Sequence, residues 1–202
     1  MTELIKLQDD LAECVSFHGH LCPGLVYGYR VAKEAATLLE VDKSSDEEVV
    51  AICENDSCAI DAFQIILSTT AGKGNLIVNN YGKNVYTVYS RKSGKALRFS
   101  RIFSYEYGGK NYAEFDKLEA ALQNKTASKN EILRQKYLKA IDLSEKPFNE
   151  IFNTQELAYA PPPYAPLAPS APCNKCGELT MSTKLMKNKK GNLLCIPCMD
   201  NK

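Results

Sequence analysis

Four cysteines form two Cys-x-x-Cys pairs, Cys173 with Cys176 and Cys195 with Cys198, separated by 18 residues. A two-residue gap lets both thiolates of a pair close on one ion, and the intervening loop brings the pairs together. The spacing therefore predicts a closed tetrahedral zinc site with about 2.3 Å per sulfur. A second constellation lies in Phe17-His-Gly-His-Leu-Cys-Pro-Gly24, which holds both histidines of the chain, His18 and His20, together with Cys22. Imidazole nitrogen and thiolate sulfur are preferred donors for zinc and other late first-row metals, and Gly19 lets the backbone bend so that the histidines converge. The alternative for this segment is a structural turn with a histidine-capped helix and a buried thiol. Cys58 follows the polar run Glu54-Asn-Asp-Ser57, unusually polar for a core passage. For this cysteine the alternative is burial as a small hydrophobe. Asp61, one helical turn on, suits the orientation of a histidine or a role as base; the alternative is a surface or capping carboxylate. Cys22 and Asp61 are the candidate catalytic residues.

These donors need elements to hold them. Apolar residues at Leu4, Leu7, Leu11, Ala12 and Val15 predict an amphipathic helix over 3–17 that stops near Gly19. Pro23 suits the first turn of a second helix running to about Leu39, and Gly28 within it admits another backbone at close range. Cys22 then sits at a helix N-terminus, where the macrodipole is expected to lower its pKa. A strand over Glu47–Glu54 leads to a helix from about Cys58 to Ser68, so Cys58 also starts a helix. Strands at Leu76–Val78, Val85–Ser90 and Lys95–Ile102, and helices near 111–123 and 128–143, complete an α+β body with helices on a mainly antiparallel sheet. Cys14 on the first helix and Cys53 in the strand read as packing residues. Lys73 lies in Gly-Lys-Gly, which lacks phosphate-loop spacing.

Residues 1–157 read as this core domain and 158–172 as a linker, since six of nine prolines fall there and favour an extended strap. Residues 173–202 form the finger, which carries six lysines against Glu178 and Asp200. Across the whole chain, 25 basic residues face 24 acidic ones, so no global field calls for a nucleic acid or an acidic membrane. The absence of a long apolar run or leader pattern points to a cytoplasmic protein whose thiols bind metal rather than pair as disulfides.

Three ordered motifs carry a family resemblance: His18-Gly-His-Leu-Cys-Pro-Gly-Leu-Val-Tyr-Gly-Tyr-Arg30, Glu54-Asn-Asp-Ser-Cys-Ala-Ile-Asp-Ala-Phe-Gln64 and Thr70-Ala-Gly-Lys-Gly-Asn-Leu76. Over roughly residues 10–145 the chain resembles the family named for the E subunit of formylmethanofuran dehydrogenase. The resemblance implies an α+β core that pairs into a homodimer, followed in some members by a treble-clef zinc finger. Tyr27, Tyr29 and Phe103 are candidate apolar contacts for the dimer, with packing in the core as the alternative. The resemblance implies the molybdenum or tungsten enzyme of methanogenesis only by name, so a molybdopterin association or a redox-enzyme partner rests on resemblance alone. The motifs fall on His18, His20 and Cys22, then on Cys58 and Asp61, and with the resemblance the core site is read as His20, Cys22 and Cys58 converging on one metal with an open position, His18 serving as a further ligand or as support and Asp61 as support.

Two functions compete. One is a metal-binding protein of molybdoenzyme or one-carbon redox metabolism, with a second transition metal in the core and a pterin-type or small acidic ligand. The other is a metal- or ligand-sensing module whose finger contacts a protein or nucleic acid through Met181, Leu185, Met186 and the nearby lysines. The finger lacks aromatic stacking residues, which favours a solvated lysine face over nucleic-acid contact.

Overall fold

A computed structural model describes residues 7–102, 105–158 and 160–200. Leu4 of the first predicted helix and Phe103 among the candidate dimer contacts lie outside them. The chain divides into two compact units, Met1–Pro163 and Tyr164–Lys202. No helix among the described residues is long and apolar enough to cross a membrane.

In the first unit, α1 (Asp9–His18), α2 (Pro23–Leu39), β1 (Val49–Cys53), α3 (Ala59–Ile66), β2 (Leu76–Val78), β3 (Val85–Ser90) and β4 (Lys95–Arg101) follow the predicted order. Then come α4 (Tyr112–Gln123), α5 (Lys129–Glu145) and β5 (Phe152–Leu157). The sheet order is β2-β1-β3-β4-β5, parallel only at β1–β2 and antiparallel elsewhere. This is the expected α+β class with a mainly antiparallel sheet. The parallel pair exists because α3 carries the chain across between β1 and β2.

Alternation along the strands sends Ala51, Cys53, Tyr86, Val88, Leu97 and Phe99 to the face shared with α1, α2, α3 and α5, while Val50, Ile52, Tyr89 and Ala96 cluster on the other. Helix α2 is the centre of the packing, touching α1, α3, α5 and the sheet. It lies very close to α3: a Cβ on Gly28 would stand 2.6 Å from the Cα of Ala59, inside any tolerable contact. That crossing fixes Cys58, the residue before Ala59, relative to the start of α2.

Helix α5 is anchored twice. Arg30 Nη1 of α2 donates to the carbonyl of Leu143 at 2.6 Å. Buried Asp142 accepts from the Tyr105 hydroxyl at 2.6 Å and from the Gly108 amide at 3.0 Å. Tyr27 and Tyr29, the other candidate dimer contacts, are buried within the unit, and the Tyr29 hydroxyl donates to Gln8 and Asp10. Of the two readings of these tyrosines, burial in the unit's own core is the one observed.

The second unit contains β6 (Ser170–Pro172) paired with β7 (Leu179–Met181), β8 (Leu185–Lys187) paired with β9 (Leu193–Cys195), and the one-turn α6 (Ile196–Met199). Residues 170–172, read in the sequence as the end of the linker, are thus a strand. A small cluster of Cys173, Leu194 and Cys195, with Leu185, Cys198 and Met199 against it, is the apolar mass of this unit. Leu185 packs inward, whereas Met181 and Met186 are exposed.

Candidate metal centre

Helix α1 ends at His18 because Gly19 takes a left-handed conformation, φ 92°, and returns its amide to the Val15 carbonyl at 2.8 Å. The reversal brings His20 back over His18, with ring centroids 4.6 Å apart. Two residues on, Cys22 caps α2 in an extended conformation, and its sulfur accepts from the Leu25 amide at 3.4 Å. His18 Nε2 lies 3.7 Å from Cys22 Sγ. Donor atoms of His18, His20 and Cys22 all fall within 4.8 Å of one another.

Asp61 gives this cluster its orientation. Its Oδ2 lies 2.7 Å from His18 Nδ1, so the carboxylate accepts the Nδ1 proton and leaves the Nε2 lone pair facing the cluster. A carboxylate behind a histidine sets the tautomer and raises the basicity of the other nitrogen. Gln64 steadies Asp61 by donating to Oδ1 at 3.2 Å. Of the two roles expected for Asp61, the contacts are those of an orienting residue.

Cys58 stands beside Cys22 rather than within that mutual cluster. The two sulfurs flank Gly24, where a Cβ would sit 3.6 Å from Cys58 Sγ and 3.9 Å from Cys22 Sγ. Cys58 takes the N-cap position of α3 without a side-chain capping bond, and the loop before it is tied by hydrogen bonds. Buried Asn55 donates to the Lys83 carbonyl at 2.7 Å and accepts from the Ser57 hydroxyl at 2.7 Å. The expectation that a helix N-terminus would lower the Cys22 pKa is overturned: burial is the largest influence, Cys58 adds to it, and together they outweigh the amides of Leu25 and Gly24. Cys14 and Cys53 are packing residues as expected, fully buried, with burial raising their thiols to about 11 and about 12.

A cavity of about 450 Å³ opens beside the cluster. His20, Cys22 and Cys58 stand on one side of its lining, and Arg101, Lys136 and Lys139 contribute cations. The cations were not foreseen, because they come from β4 and α5 and no local spacing connects them to the histidines. Lys73 takes no part; its ammonium donates to the Ser44 carbonyl at 2.7 Å.

In the finger, Cys173, Cys176, Cys195 and Cys198 also gather with their sulfurs within 4.8 Å of one another, an arrangement able to hold a metal ion such as zinc. The amides of Lys175 and Cys195 donate to Cys173 Sγ at 3.4 and 3.3 Å. Amide donation, first from Cys176 and then from Cys195 and Lys175, brings that thiol down to about 6. Cys198 moves the other way, to about 12, chiefly because of the Cys195 thiol beside it.

Known proteins are similar to this chain over most of its length. The chain is 29% identical over 208 residues to a protein of Archaeoglobus fulgidus named "Probable S-adenosyl-L-methionine-binding protein". The match covers 96% of this chain but 53% of that relative, so the chain spans about half the length of the curated protein it resembles. Its fold is that of a tungsten formylmethanofuran dehydrogenase FmdE-like protein from Syntrophus aciditrophicus, with TM-score 0.61 and 20% identity over 95% of this chain and 91% of that one. A sequence profile described as FmdE, Molybdenum formylmethanofuran dehydrogenase operon, matches residues 17–153, from just before the first histidine into β5, and the chain belongs to that family.

Proposed function

We propose that this protein binds a transition metal in its core through His18, His20 and Cys22, with Cys58 as a further donor, and a structural zinc in its finger. The observation that carries the core reading is the convergence of three soft donors beside a cavity, with His18 turned toward them by Asp61. Two imidazoles and thiolates suit a late first-row ion. The bound ion would supply Lewis-acid or redox chemistry. The chain's own residues orient the donors and leave one side of the centre facing the cavity. Four mutually close thiolates suit a closed zinc site in the finger.

The family description ties these proteins to a molybdenum enzyme, and we extend the proposal to association with such a redox enzyme and to homodimerisation of the core. Light scattering of the full chain at micromolar concentration tests the dimer; a monomer there removes it. Elemental analysis tests the metals. The wild type is expected to carry two ions per chain, and Cys22→Ser one, with the finger ion retained. Two ions persisting in Cys22→Ser would end the core reading.

A second reading follows the Archaeoglobus relative, whose alignment spans nearly all of this chain. S-adenosyl-L-methionine would set its carboxylate against Arg101 or Lys139, but its sulfonium would enter a cavity already lined by cations. Equilibrium dialysis with labelled S-adenosyl-L-methionine decides this: saturable retention by the wild type supports the reading, and none removes it.

A further inference from the structure

We propose that the core cavity binds a small oxyacid anion, a phosphate- or carboxylate-bearing molecule whose charged end lies against Arg101 and Lys139 while its other end faces Cys22 and His20. The second half of this statement rests on the metal reading; the first half stands on the cavity itself.

The lining contains Arg101, Lys136 and Lys139 and no aspartate or glutamate. Among the described residues, neither Arg101 nor Lys139 has a carboxylate within 4.0 Å. Both are held instead over aromatic faces, Arg101 above Tyr27 at 4.8 Å and Lys139 above Tyr105 at 4.3 Å. These contacts fix the direction of each cation without cancelling its charge. The acid that acts on Lys139 is Glu119, whose Oε2 already accepts from Gln135 at 2.7 Å. Burial first, and then the field of Arg101, depress the Lys139 pKa, as expected when two cations share one partly desolvated space.

Holding like charges together in this way is unfavourable until a counter-charge arrives, and an anion placed between them removes the penalty. The metal side would not supply that charge, because a divalent ion with the two thiolates of Cys22 and Cys58 carries no net charge. Arginine presents a planar fork matched to phosphate or carboxylate. The volume, about 450 Å³, falls among small-molecule sites, which run from roughly 300 to 1,000 Å³. The positions are also well supported: the Arg101 amide donates to the Asn84 carbonyl at 3.0 Å, and α5 is anchored through Arg30 and Asp142.

Calorimetric titration of the full chain at low salt, with inorganic pyrophosphate and citrate as separate probes, tests the proposal. Metal is counted on the same samples. Saturable binding of at least one probe, one per chain, is expected, and the tighter probe identifies phosphate or carboxylate as the recognised group. Arg101→Gln and, on a different element, Lys139→Gln should each weaken binding tenfold or more with metal content unchanged. A finger variant, Lys187→Gln with Lys189→Gln, should bind as the wild type does. No saturable binding of either probe, equal affinity in both cavity variants, or loss of binding in the finger variant alone would overturn the proposal. The metal count keeps the two readings apart. Two ions persisting in Cys22→Ser sink the metal reading whatever the anions do, and unaltered affinity in the cavity variants sinks the anion site whatever the metals do.

Discussion

In the finger, Cys173, Cys176, Cys195 and Cys198 meet where short strands turn, over a core of one buried leucine and its few neighbours. In the core, His18, His20 and Cys22 meet where α1 hands over to α2, and each is supported by something that owes nothing to a metal. The left-handed Gly19, the Asp61 carboxylate and the crossing of α2 over α3 are those supports. The contrast shows how one donor chemistry can serve two ends. On the proposed reading, an ion is a structural member where the fold is too small to hold its donors, and a guest with a free side where the fold already holds them.

Chelation is the harshest trial of that contrast. Removing metal should abolish ordered amide signals throughout the finger, because metal-binding free energy on the order of 10 kcal/mol is there the folding free energy, while the core keeps its signals. A finger that stays ordered after complete chelation would break the comparison. Next in size is Gly28→Ala, whose methyl group meets the Ala59 backbone. A loss of about 3 kcal/mol in denaturant unfolding of the core is expected, accompanied by weaker core metal and an unchanged finger ion. Asp61→Asn is a smaller and more pointed change. It should leave the fold stable and weaken core metal by roughly 10- to 100-fold, read by competition with a chromophoric chelator; equal affinity would deny Asp61 its orienting role. The mildest is Ser128→Ala, which removes the capping box that Ser128 forms with Glu131 at the start of α5. About 1 kcal/mol of core stability should go, with both ions in place.

Much of this was legible because the signals were local. Proline at position 23, glycine at 19 and 28, and the paired cysteines each announce a turn, a close approach or a chelate within a few residues. Strand β5 gave no such notice: Phe-Asn-Thr-Gln-Glu-Leu has polar residues at four consecutive positions, and it is a strand because the edge of β4 offers it a ladder. The cationic side of the cavity was equally silent, since Arg101 and Lys139 are 38 residues apart and meet only through the sheet and α5. The direction of the Cys22 pKa was misread for a related reason. A helix start is visible in sequence, but the depth at which it is buried is a property of the packed whole.

The crossing at Gly28 has a further consequence. Helix α3 is eight residues long, too short to persist by its own propensity, so Cys58 and Asp61 occupy their places only while α3 is docked on α2. On the proposed reading, an ion held by Cys58 and by the histidine that Asp61 orients binds the docked form and not the undocked one, and by mass action it stabilises the whole core, by about 2.7 kcal/mol at a hundredfold excess over its dissociation constant. The stability of the core would then follow metal supply, with no sensor needed beyond a glycine where two helices touch.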